Sequence, residues 1–490
     1  MRVVTWSVWL ALSGTLSTTA CAQSPAVVFS AAHRPPECTA VPDRIVAVGQ
    51  YGDQGIAVVF DSASPTARFL WMAELSDRRL VALQGTGPGD RAGALPLVSP
   101  SQSGRILLTS PFSRIENEPD DVLGVRTALW EESAAALGGS SLNWISSGAA
   151  SIGSSTTYLS AIGQPLASGT GERHWLASRS SGPLDLPTGF VLLSGAQTNL
   201  RELLTAGPAI TGGELLTASS ISASGTGKFI GATALERTAS GGLGLRGLTI
   251  TTSSMTEEVR AVGGAGQDVE SPYGLLPWTA VNFVAASEDD TCNPLGRVFV
   301  AGTAGGFPVI TMNGELLLRQ GDTLLDVTGQ SAGTMAGGAH TLVANSQGDY
   351  AAAVPFRPGT APGKLAVLVN SRVALSVGQQ LDGGGHIAHL YREIALTPRA
   401  SGELRVLVRA DVVLPGATDP VQAVVAWTGV VPTLGTCVAD YDGSGGVDGD
   451  DIIAYFADWD ATVMEADLDC SSGVDGDDII LFFQHWDLGC

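Results

Sequence analysis

Short apolar runs separated by clusters of Gly, Ser and Pro fill residues 40–435, without the periodicity of a long amphipathic helix. Runs of this length bounded by turn residues predict β-strands. The clearest hairpin is predicted at 308–318, where Asn313 and Gly314 separate two apolar runs. Asn-Gly suits the type I′ turn between antiparallel strands. Residues 365–377 repeat this design, so the body is predicted to be mainly β.

A weaker repeat of about 50 residues runs through the same segment, close to the length of a four-stranded propeller blade. A polar, glycine-containing opening precedes a predicted strand at six places: Gly55, Gly104, Gly225, Gly296, Gly348 and Gly402. Neighbouring openings lie 49, 52 or 54 residues apart where no insertion intervenes. Six to eight such units predict a propeller-like tandem-repeat body, with an array of β-sandwiches as the alternative.

The segment 437–490 contains one loop-helix unit twice. The eight residues Gly-Val-Asp-Gly-Asp-Asp-Ile-Ile occur at 446–453 and again 27 residues later, at 473–480. A twelve-residue calcium loop takes ligands from positions 1, 3, 5, 7, 9 and 12, the seventh through a backbone carbonyl. In the first loop these positions are Asp440, Asp442, Ser444, Gly446, Asp448 and Asp451. In the second loop they are Asp467, Asp469, Ser471, Gly473, Asp475 and Asp478.

An apolar stripe with helical spacing follows each loop and predicts two helices that bury these stripes against each other. The first stripe consists of Ile452, Ile453, Phe456 and Trp459, and the second of Ile479, Ile480, Phe483 and Trp486. Val447 and Val474, at position 8 of the loops, are predicted to point inward and pair the two loops. The result is a small α-helical module of about 54 residues at the C-terminal end.

These two loops and helices resemble a type I dockerin, the duplicated calcium-loop-helix module of bacterial polysaccharide-degrading assemblies. The resemblance covers 437–490 and implies two Ca²⁺ sites at the positions named above, together with docking to a cohesin-type or other cell-surface protein. Ser472 stands where a glycine usually takes the left-handed turn. A Cβ in that conformation costs about 1–2 kcal/mol, so the second site is predicted to be the weaker one.

The formal net charge is −22, and the acidic residues concentrate in the C-terminal module. From Cys437 to Cys490 there are fourteen Asp or Glu residues and no Lys or Arg. An acidic chain without a basic stripe is unsuited to nucleic-acid binding. The acidic segment instead needs cations, and calcium is the one expected outside the cell.

The N-terminus predicts export. Arg2 provides a positive start, residues 3–16 an apolar stretch, and Ala20-Cys21-Ala22 a cleavage site of the A-x-A type. The alternative is a lipoprotein signal with acylation of Cys21. The predicted organisation is a signal peptide at 1–22, a β-repeat domain at 23–436 and the dockerin-like module at 437–490. A secreted, cell-surface or periplasmic location follows, and no later apolar run is long enough to span a membrane.

Five cysteines follow the predicted cleavage site, and an exported protein can oxidise them. Cys437 and Cys490 bracket the acidic module and are candidates for a disulfide that clasps it. Cys38 and Cys292 are candidates for a second bridge, which leaves Cys470 over. Connectivity does not follow from sequence alone.

No catalytic motif occurs in the body. The pair His386 and His389 is predicted to lie in a loop or edge strand rather than at a metal. Three acidic clusters, at 116–121, 131–132 and 288–290, are predicted to be solvated loops. Four tryptophans are candidates for a sugar-binding platform, although burial in a core is the default for this residue: Trp71, Trp130, Trp175 and Trp278.

Two functions therefore compete, because a dockerin-like module indicates where a protein is attached and not what it does. The first is a secreted calcium-binding protein with a non-catalytic β body that binds a partner or forms surface structure. The second is a polysaccharide-degrading enzyme of the glycoside hydrolase type. A surface lipoprotein is a third interpretation. Whether the body is an enzyme stays open at this point. The absence of catalytic motifs favours the first function, a non-catalytic body.

Overall fold

The computed structural model describes residues 24–51, 55–63, 66–74, 77–83, 91–92, 97–100, 105–113, 125–133, 143–146, 150–152, 155–161, 166–167, 173–180, 189–196, 199–208, 212–223, 229–252, 258–287, 297–361, 363–397, 402–432, 434, 439, 441, 447–463, 466–468 and 473–488.

Within this part of the chain the strands form seven successive sheets, here called blades 1 to 7. Strand β1 (Ala26–Ser30) precedes blade 1 in the chain. Blade 1 contains β2 (Pro42–Tyr51), β3 (Gly55–Ala63), β4 (Thr66–Glu74) and β5 (Asp77–Leu83). Blade 2 contains β6 (Arg91–Ala92), β7 (Leu97–Pro100), β8 (Arg105–Ser113), β9 (Val125–Ser133) and β10 (Asn143–Ser146). Blade 3 contains β11 (Ala150–Ile152), β12 (Ser155–Ala161), β13 (Leu166–Ala167), β14 (Arg173–Ser180), β15 (Gly189–Ala196) and β16 (Asn199–Thr205).

The remaining four blades have the following strands. Blade 4 contains β17 (Gly207–Pro208), β18 (Glu214–Ala223), β19 (Phe229–Arg237), β20 (Leu243–Thr251) and β21 (Glu258–Gly263). Blade 5 contains β22 (Asp268–Val269), β23 (Leu276–Ser287), β24 (Arg297–Ala304), β25 (Phe307–Met312) and β26 (Glu315–Arg319). Blade 6 contains β27 (Thr323–Asp326), β28 (Ser331–Met335), β29 (Thr341–Ala344), β30 (Tyr350–Arg357), β31 (Lys364–Val369) and β32 (Arg372–Ser376). Blade 7 contains β33 (His386–Leu396), β34 (Leu404–Val413) and β35 (Val421–Gly429), to which β1 is added.

The blades form a closed ring. Strand β2 contacts β7, and contacts continue from β7 through β13, β18, β23, β29 and β33 back to β2. Each blade therefore touches the blade before it and the blade after it. This arrangement is a β-propeller, which confirms the predicted fold class, and its seven blades fall within the predicted six to eight units. The ring leaves no place for the alternative array of β-sandwiches.

Strand β1 closes the ring by pairing antiparallel with β35, so the N-terminal segment completes blade 7. Phe29 of β1 is fully buried and packs against blade 1. Its ring centroid lies 5.1 Å from that of Trp71 and 5.2 Å from that of Phe60. The first and last parts of the propeller are thus held together by strand pairing and by an aromatic core.

The core consists of apolar layers between neighbouring blades. Along β30, Ala351 and Ala353 pack toward blade 7, whereas Ala352 and Val354 pack toward blade 5. Alternate side chains of one strand therefore enter two different layers, and both are apolar. This double burial explains why the strands appear in the sequence as continuous apolar runs without polar alternation.

Both predicted hairpins are confirmed. Asn313 and Gly314, between β25 and β26, have φ angles of 51° and 96°. Asn370 and Ser371, between β31 and β32, have φ angles of 45° and 65°. Two successive residues with positive φ are the signature of a type I′ turn, and Asn tolerates this conformation better than most residues with a Cβ.

Paired bulges in four of the innermost strands were not predicted. The register of β2, β18, β23 and β33 shifts twice in each strand, with the shifts three residues apart. The residues at which pairing is interrupted are Asp43 and Val46, Leu216 and Ser219, Thr279 and Asn282, and Ala388 followed by Tyr391–Glu393. Bulges bend a strand and increase its twist, so these strands share one deformation close to the axis of the ring.

Two helices follow the propeller, α1 (Gly449–Asp460) and α2 (Gly476–Leu488). Neither they nor any other described helix is long and apolar enough to cross a membrane.

The predicted bridge between Cys38 and Cys292 is not formed, because Cys38 is a free thiol and donates to Ala40 O at 3.5 Å. Cys38 is buried in the layer between blades 7 and 1, and burial raises its pKa to about 11. Cys292 lies outside the described residues.

The aromatic closure leads to a first prediction. Replacement of Phe29 by Ala removes a fully buried ring that joins the two ends of the propeller. We expect the free energy of unfolding to fall by about 3–5 kcal/mol, the usual cost of truncating a core aromatic. Val41→Ala, at a site that is 45% exposed, is the control and should change stability by no more than about 0.5 kcal/mol. Urea denaturation measures both, and a loss below about 1 kcal/mol for Phe29→Ala would contradict this closure.

A buried histidine leads to a second prediction. His174 on β14 has no exposed surface, and neither ring nitrogen has a hydrogen-bond partner among the described residues. Burial, and to a smaller extent the charge of Arg201, lowers its pKa to about 4. Because an unfolded histidine has a pKa of about 6.5, the unfolded chain binds more protons below that pH. Stability is therefore lost as the pH falls from 6.5 to 4, by roughly 3 kcal/mol from this residue.

His174→Leu should remove this part of the acid sensitivity. Urea midpoints measured between pH 7.5 and pH 4.5 should fall more steeply for the natural chain than for the variant. Two parallel curves would show that His174 does not titrate in this way.

Candidate functional site

The two acidic loops end in the same hydrogen-bonded cap. Asp448 precedes α1 and accepts from Asp450 N at 2.9 Å, while Asp451 Oδ2 accepts from Asp448 N at 2.7 Å. In the second unit Asp475 N donates to Asp478 Oδ2 at 2.7 Å. This capping box satisfies backbone donors that have no partner within a helix. The duplication seen in the sequence is therefore also a duplication of local geometry.

Three of the predicted ligand carboxylates are shielded from water, whereas the cap residues Asp448 and Asp475 are exposed. Asp451 and Asp478 have no exposed surface, and Asp467 is 2% exposed. Burying a carboxylate costs several kcal/mol unless a positive charge compensates for it. No Lys or Arg occurs between Cys437 and Cys490 to provide that charge. The donor set is all oxygen and strongly anionic, which fits a hard cation such as Ca²⁺.

The structure describes half of the predicted ligand set. The described members are Asp448, Asp451, Asp467, Gly473, Asp475 and Asp478. The remaining predicted ligands, Asp440, Asp442, Ser444, Gly446, Asp469 and Ser471, lie outside the described residues, as do Ser472 and the proposed clasp of Cys437 with Cys490. Within the described residues no three His, Cys, Asp or Glu side chains form a group that could hold a metal ion. The calcium sites therefore stay a prediction.

The helices pack through a different pair of residues from the one predicted. Tyr455 and Phe482 are fully buried and stack with their ring centroids 4.2 Å apart and their planes 1° apart. They occupy the same position of the two units, 27 residues apart, so the duplication itself could have identified them. Ile453 and Ile480, placed in the predicted stripes, are instead 69% and 57% exposed. The buried stripe of α1 is Ile452, Tyr455, Phe456 and Trp459, with the regular spacing i, i+3, i+4 and i+7, which leaves Ile453 to one side of it.

Other members of the predicted stripes do reach the core. Ile452, Phe456, Trp459, Ile479 and Trp486 are partly buried around Tyr455 and Phe482. Phe483 is 37% exposed.

A hydrogen bond joins the first helix to the second loop. Trp459 Nε1 donates to Asp475 O at 2.9 Å, so the first unit holds the backbone of the second. The buried hydroxyl of Tyr455 has no hydrogen-bond partner among the described residues. Burial and the negative charge of Asp478 raise its pKa to about 12. Val474 packs into the same core, in agreement with its predicted inward orientation.

The body contains a polar cluster on β33 and β34 of blade 7. Tyr391 Oη donates to Asp411 Oδ2 at 3.0 Å, and the guanidinium of Arg409 lies 3.9 Å from the centre of the Tyr391 ring. Arg409 Nη1 is 3.5 Å from Glu393 Oε1. Burial, followed by Asp411, raises the pKa of Tyr391. Glu393 Oε2 is buried without a partner among the described residues.

This cluster also ties blade 7 to blade 1. Arg409 Nη1 donates to Ile45 O at 3.2 Å, and Gln422 Oε1 accepts from Ile45 N at 2.9 Å. It lies beside the second bulge of β33, where Tyr391, Arg392 and Glu393 oppose one residue of β34. Two carboxylates with an arginine and a tyrosine can bind a polar ligand or take part in proton transfer. They can equally have a structural role and hold blade 7 and blade 1 together.

The candidate functional residues that the sequence suggested in the body do not come together in one site among the described residues. His386 and His389 lie on the innermost strand of blade 7, opposite Val413 and Asp411. Trp71 and Trp278 are 3% and 4% exposed, in different interblade layers, and thus form no joint surface platform. Trp130 and Trp175 lie on described strands. Glu131 and Glu132 belong to β9 and not to a loop, which corrects that prediction. The clusters at 116–121 and 288–290 lie outside the described residues.

No protein-family model matches the chain, and no curated protein matches it in sequence. Several solved structures are similar to it. A prolyl endopeptidase aligns with 79% of this chain and 50% of its own length, at 11% identity and a TM-score of 0.41. The chain thus spans half the length of that enzyme.

Two glycoside hydrolases are also similar. The catalytic domain of the GH62 α-L-arabinofuranosidase of Coprinopsis cinerea aligns with 84% of this chain and 97% of its own, at 10% identity and a TM-score of 0.27. An ancestral GH74 enzyme aligns with 84% of this chain and 61% of its own, at 11% identity and a TM-score of 0.28. These likenesses assign no function to the chain.

Proposed function

We propose that this chain is an exported β-propeller protein whose C-terminal module binds two calcium ions and serves attachment. One observation carries the proposal. Asp451 and Asp478, at equivalent positions of a tandem repeat, are fully buried carboxylates in a segment without basic residues. A cation at each loop would offset the cost of burying them.

Bound calcium would supply a positive charge that draws the loop oxygens together. The chain itself supplies the ligand oxygens, and hydrogen bonds already hold two of the carboxylates in place before calcium binds. The capping hydrogen bond from Asp448 N holds the carboxylate of Asp451, and that from Asp475 N holds Asp478. A carboxylate has about four lone-pair sites, so one such bond does not exhaust its capacity.

An attachment role is supported by what the two helices leave exposed. Ile453 and Ile480 occupy matching positions and are 69% and 57% exposed, although each follows a fully buried aspartate by two residues. Exposed apolar side chains at symmetric positions suit contact with another protein. A cohesin-type or other cell-surface protein is the partner that the dockerin resemblance implies.

Calcium titration of the full chain tests this proposal. After removal of metal with EDTA, calcium chloride should bind at two sites in isothermal titration calorimetry. Asp451→Asn should remove the first site and Asp478→Asn the second, because Asn keeps the shape and loses the charge. The second site should bind about tenfold more weakly if Ser472 is strained in the left-handed region.

Asp450→Asn is the matched control, since it removes the same charge from the exposed neighbour of Asp451. It should leave both sites in place. Unchanged stoichiometry in Asp451→Asn and Asp478→Asn, or no heat of binding in the natural chain, would overturn the proposal.

A second candidate function is hydrolysis of glycosidic bonds, favoured by the carboxylates Glu393 and Asp411 in the cluster on blade 7. Glycosidases need two such groups, one that donates a proton and one that acts as base or nucleophile. Glu393 Oε2 has no hydrogen-bond partner among the described residues, and Asp411 Oδ2 accepts from the hydroxyl of Tyr391 at 3.0 Å. If the chain is not an enzyme, the same residues have a structural role and hold blade 7 and blade 1 together.

Hydrolysis of p-nitrophenyl glycosides, including the α-L-arabinofuranoside, distinguishes these two roles. An enzyme should release nitrophenol, and Glu393→Gln and Asp411→Asn should each lower kcat by about 10²-fold or more. Glu403→Gln, at the residue before β34 of the same blade, is the control. If the natural chain releases no nitrophenol and both variants lower only the melting temperature, the cluster is structural.

A further inference from the structure

A cleft with a volume of about 540 Å³ lies between blades 4 and 5. One wall comes from β20 and β21 of blade 4, and the other from β22, β23 and β24 of blade 5 together with the turn at Asn313 and Gly314. Its volume is in the range of about 300–1,000 Å³ typical of small-molecule sites. It is separate in the sequence from both the acidic loops and the cluster on blade 7.

The floor of the cleft is apolar and rigid. Trp278 is 4% exposed and lies there with Val298 and Val300. The backbone at Gly302 packs closely against the indole of Trp278. A Cβ at this position would lie only 2.9 Å from Trp278 Cζ3. The ring is therefore positioned before any ligand arrives.

The rim and one wall are polar. Arg260 and Asp268 are exposed at the cleft and carry opposite charges. Arg260 faces Thr249 across the pairing of β20 with β21. Asn313 completes the rim on the side of blade 5. Donors and acceptors thus surround an apolar floor, the composition expected of a site for a small polar ligand.

Two buried polar atoms in the wall lack partners among the described residues. They are Thr249 Oγ1 and Gln267 Oε1. The orientation of the Gln267 amide follows from its other contact, since Nε2 donates to Ala261 O at 2.7 Å and a carbonyl only accepts. Oε1 is therefore the unpaired acceptor. An unpaired buried polar group is destabilising, and native interiors contain few of them.

We propose that this cleft binds a neutral sugar, as one or two residues of a saccharide. Sugar hydroxyls donate and accept, so they can pair with Gln267 Oε1, with Asp268 and with Arg260. Thr249 also lines the cleft, and its hydroxyl, which has no partner among the described residues, is proposed to pair with the sugar as well. The apolar C–H face of a sugar suits the floor of Trp278 and valines. The opposite charges of Arg260 and Asp268 disfavour a strongly anionic or cationic ligand.

This proposal is independent of calcium binding and of hydrolysis. The function that it adds is recognition of carbohydrate by the propeller, which is compatible with either candidate activity. It places the ligand between two blades and not on the ring axis.

Saturation-transfer difference NMR on the full chain tests it, with D-glucose, D-galactose, D-xylose, L-arabinose and N-acetyl-D-glucosamine as probes. At least one probe should receive saturation and give a dissociation constant on titration. Thr249→Val keeps the shape and removes the hydroxyl. It should weaken binding about tenfold, the loss of one hydrogen bond to a ligand, while the melting temperature stays the same or rises.

Thr397→Val is the matched control. Thr397 is also fully buried, but it lies in the linker after β33 and its hydroxyl donates to Arg405 O. This variant should bind sugar as the natural chain does and melt at a lower temperature. The proposal is overturned if no probe receives saturation, or if Thr249→Val binds as tightly as the natural chain.

Discussion

Closure of the ring is the constraint on which the rest of the propeller depends. Blades 5, 6 and 7 each bury both of their faces in apolar layers, so one of these blades without a neighbour would expose such a layer to water. The two ends of the chain meet at blade 7, where β1 supplies the fourth strand beside β35. Phe29 then carries the contact from blade 7 into blade 1, through the rings of Phe60 and Trp71. Strand pairing between the ends turns a row of blades into a ring.

The same constraint determines where polar chemistry can occur. Apolar side chains fill the described layers between blades, and the two candidate polar sites of the propeller lie at irregularities in this packing. The cluster of Tyr391, Glu393, Arg409 and Asp411 lies at a bulge of an innermost strand. The cleft at Trp278 lies where blades 4 and 5 separate. Both places contain buried polar atoms without a hydrogen-bond partner among the residues that the structure describes.

The C-terminal module is stabilised differently from the propeller. Its described core is small and centres on the stacked rings of Tyr455 and Phe482. Three nearly fully buried aspartates lie around this core, with no basic residue in the segment to balance them. In the propeller apolar burial decides the fold, whereas in the module electrostatics and the capping hydrogen bonds are equally important. If the module binds calcium as proposed, its stability depends on the calcium concentration, whereas that of the propeller does not.

The sequence by itself determined the mainly β body, the approximate blade length, the two type I′ hairpins and the duplicated acidic unit. These features are local: turn residues, apolar runs and exact repeats act over a few neighbouring positions. Only the tertiary structure decided that β1 joins β35, that Cys38 is a free thiol, and that Tyr455 is central while Ile453 is exposed. It alone brought Glu393 near Arg409 and formed a cleft from Thr249, Gln267 and Trp278. Those groupings depend on how blades and helices approach one another, and that approach is set by packing between residues distant in the chain.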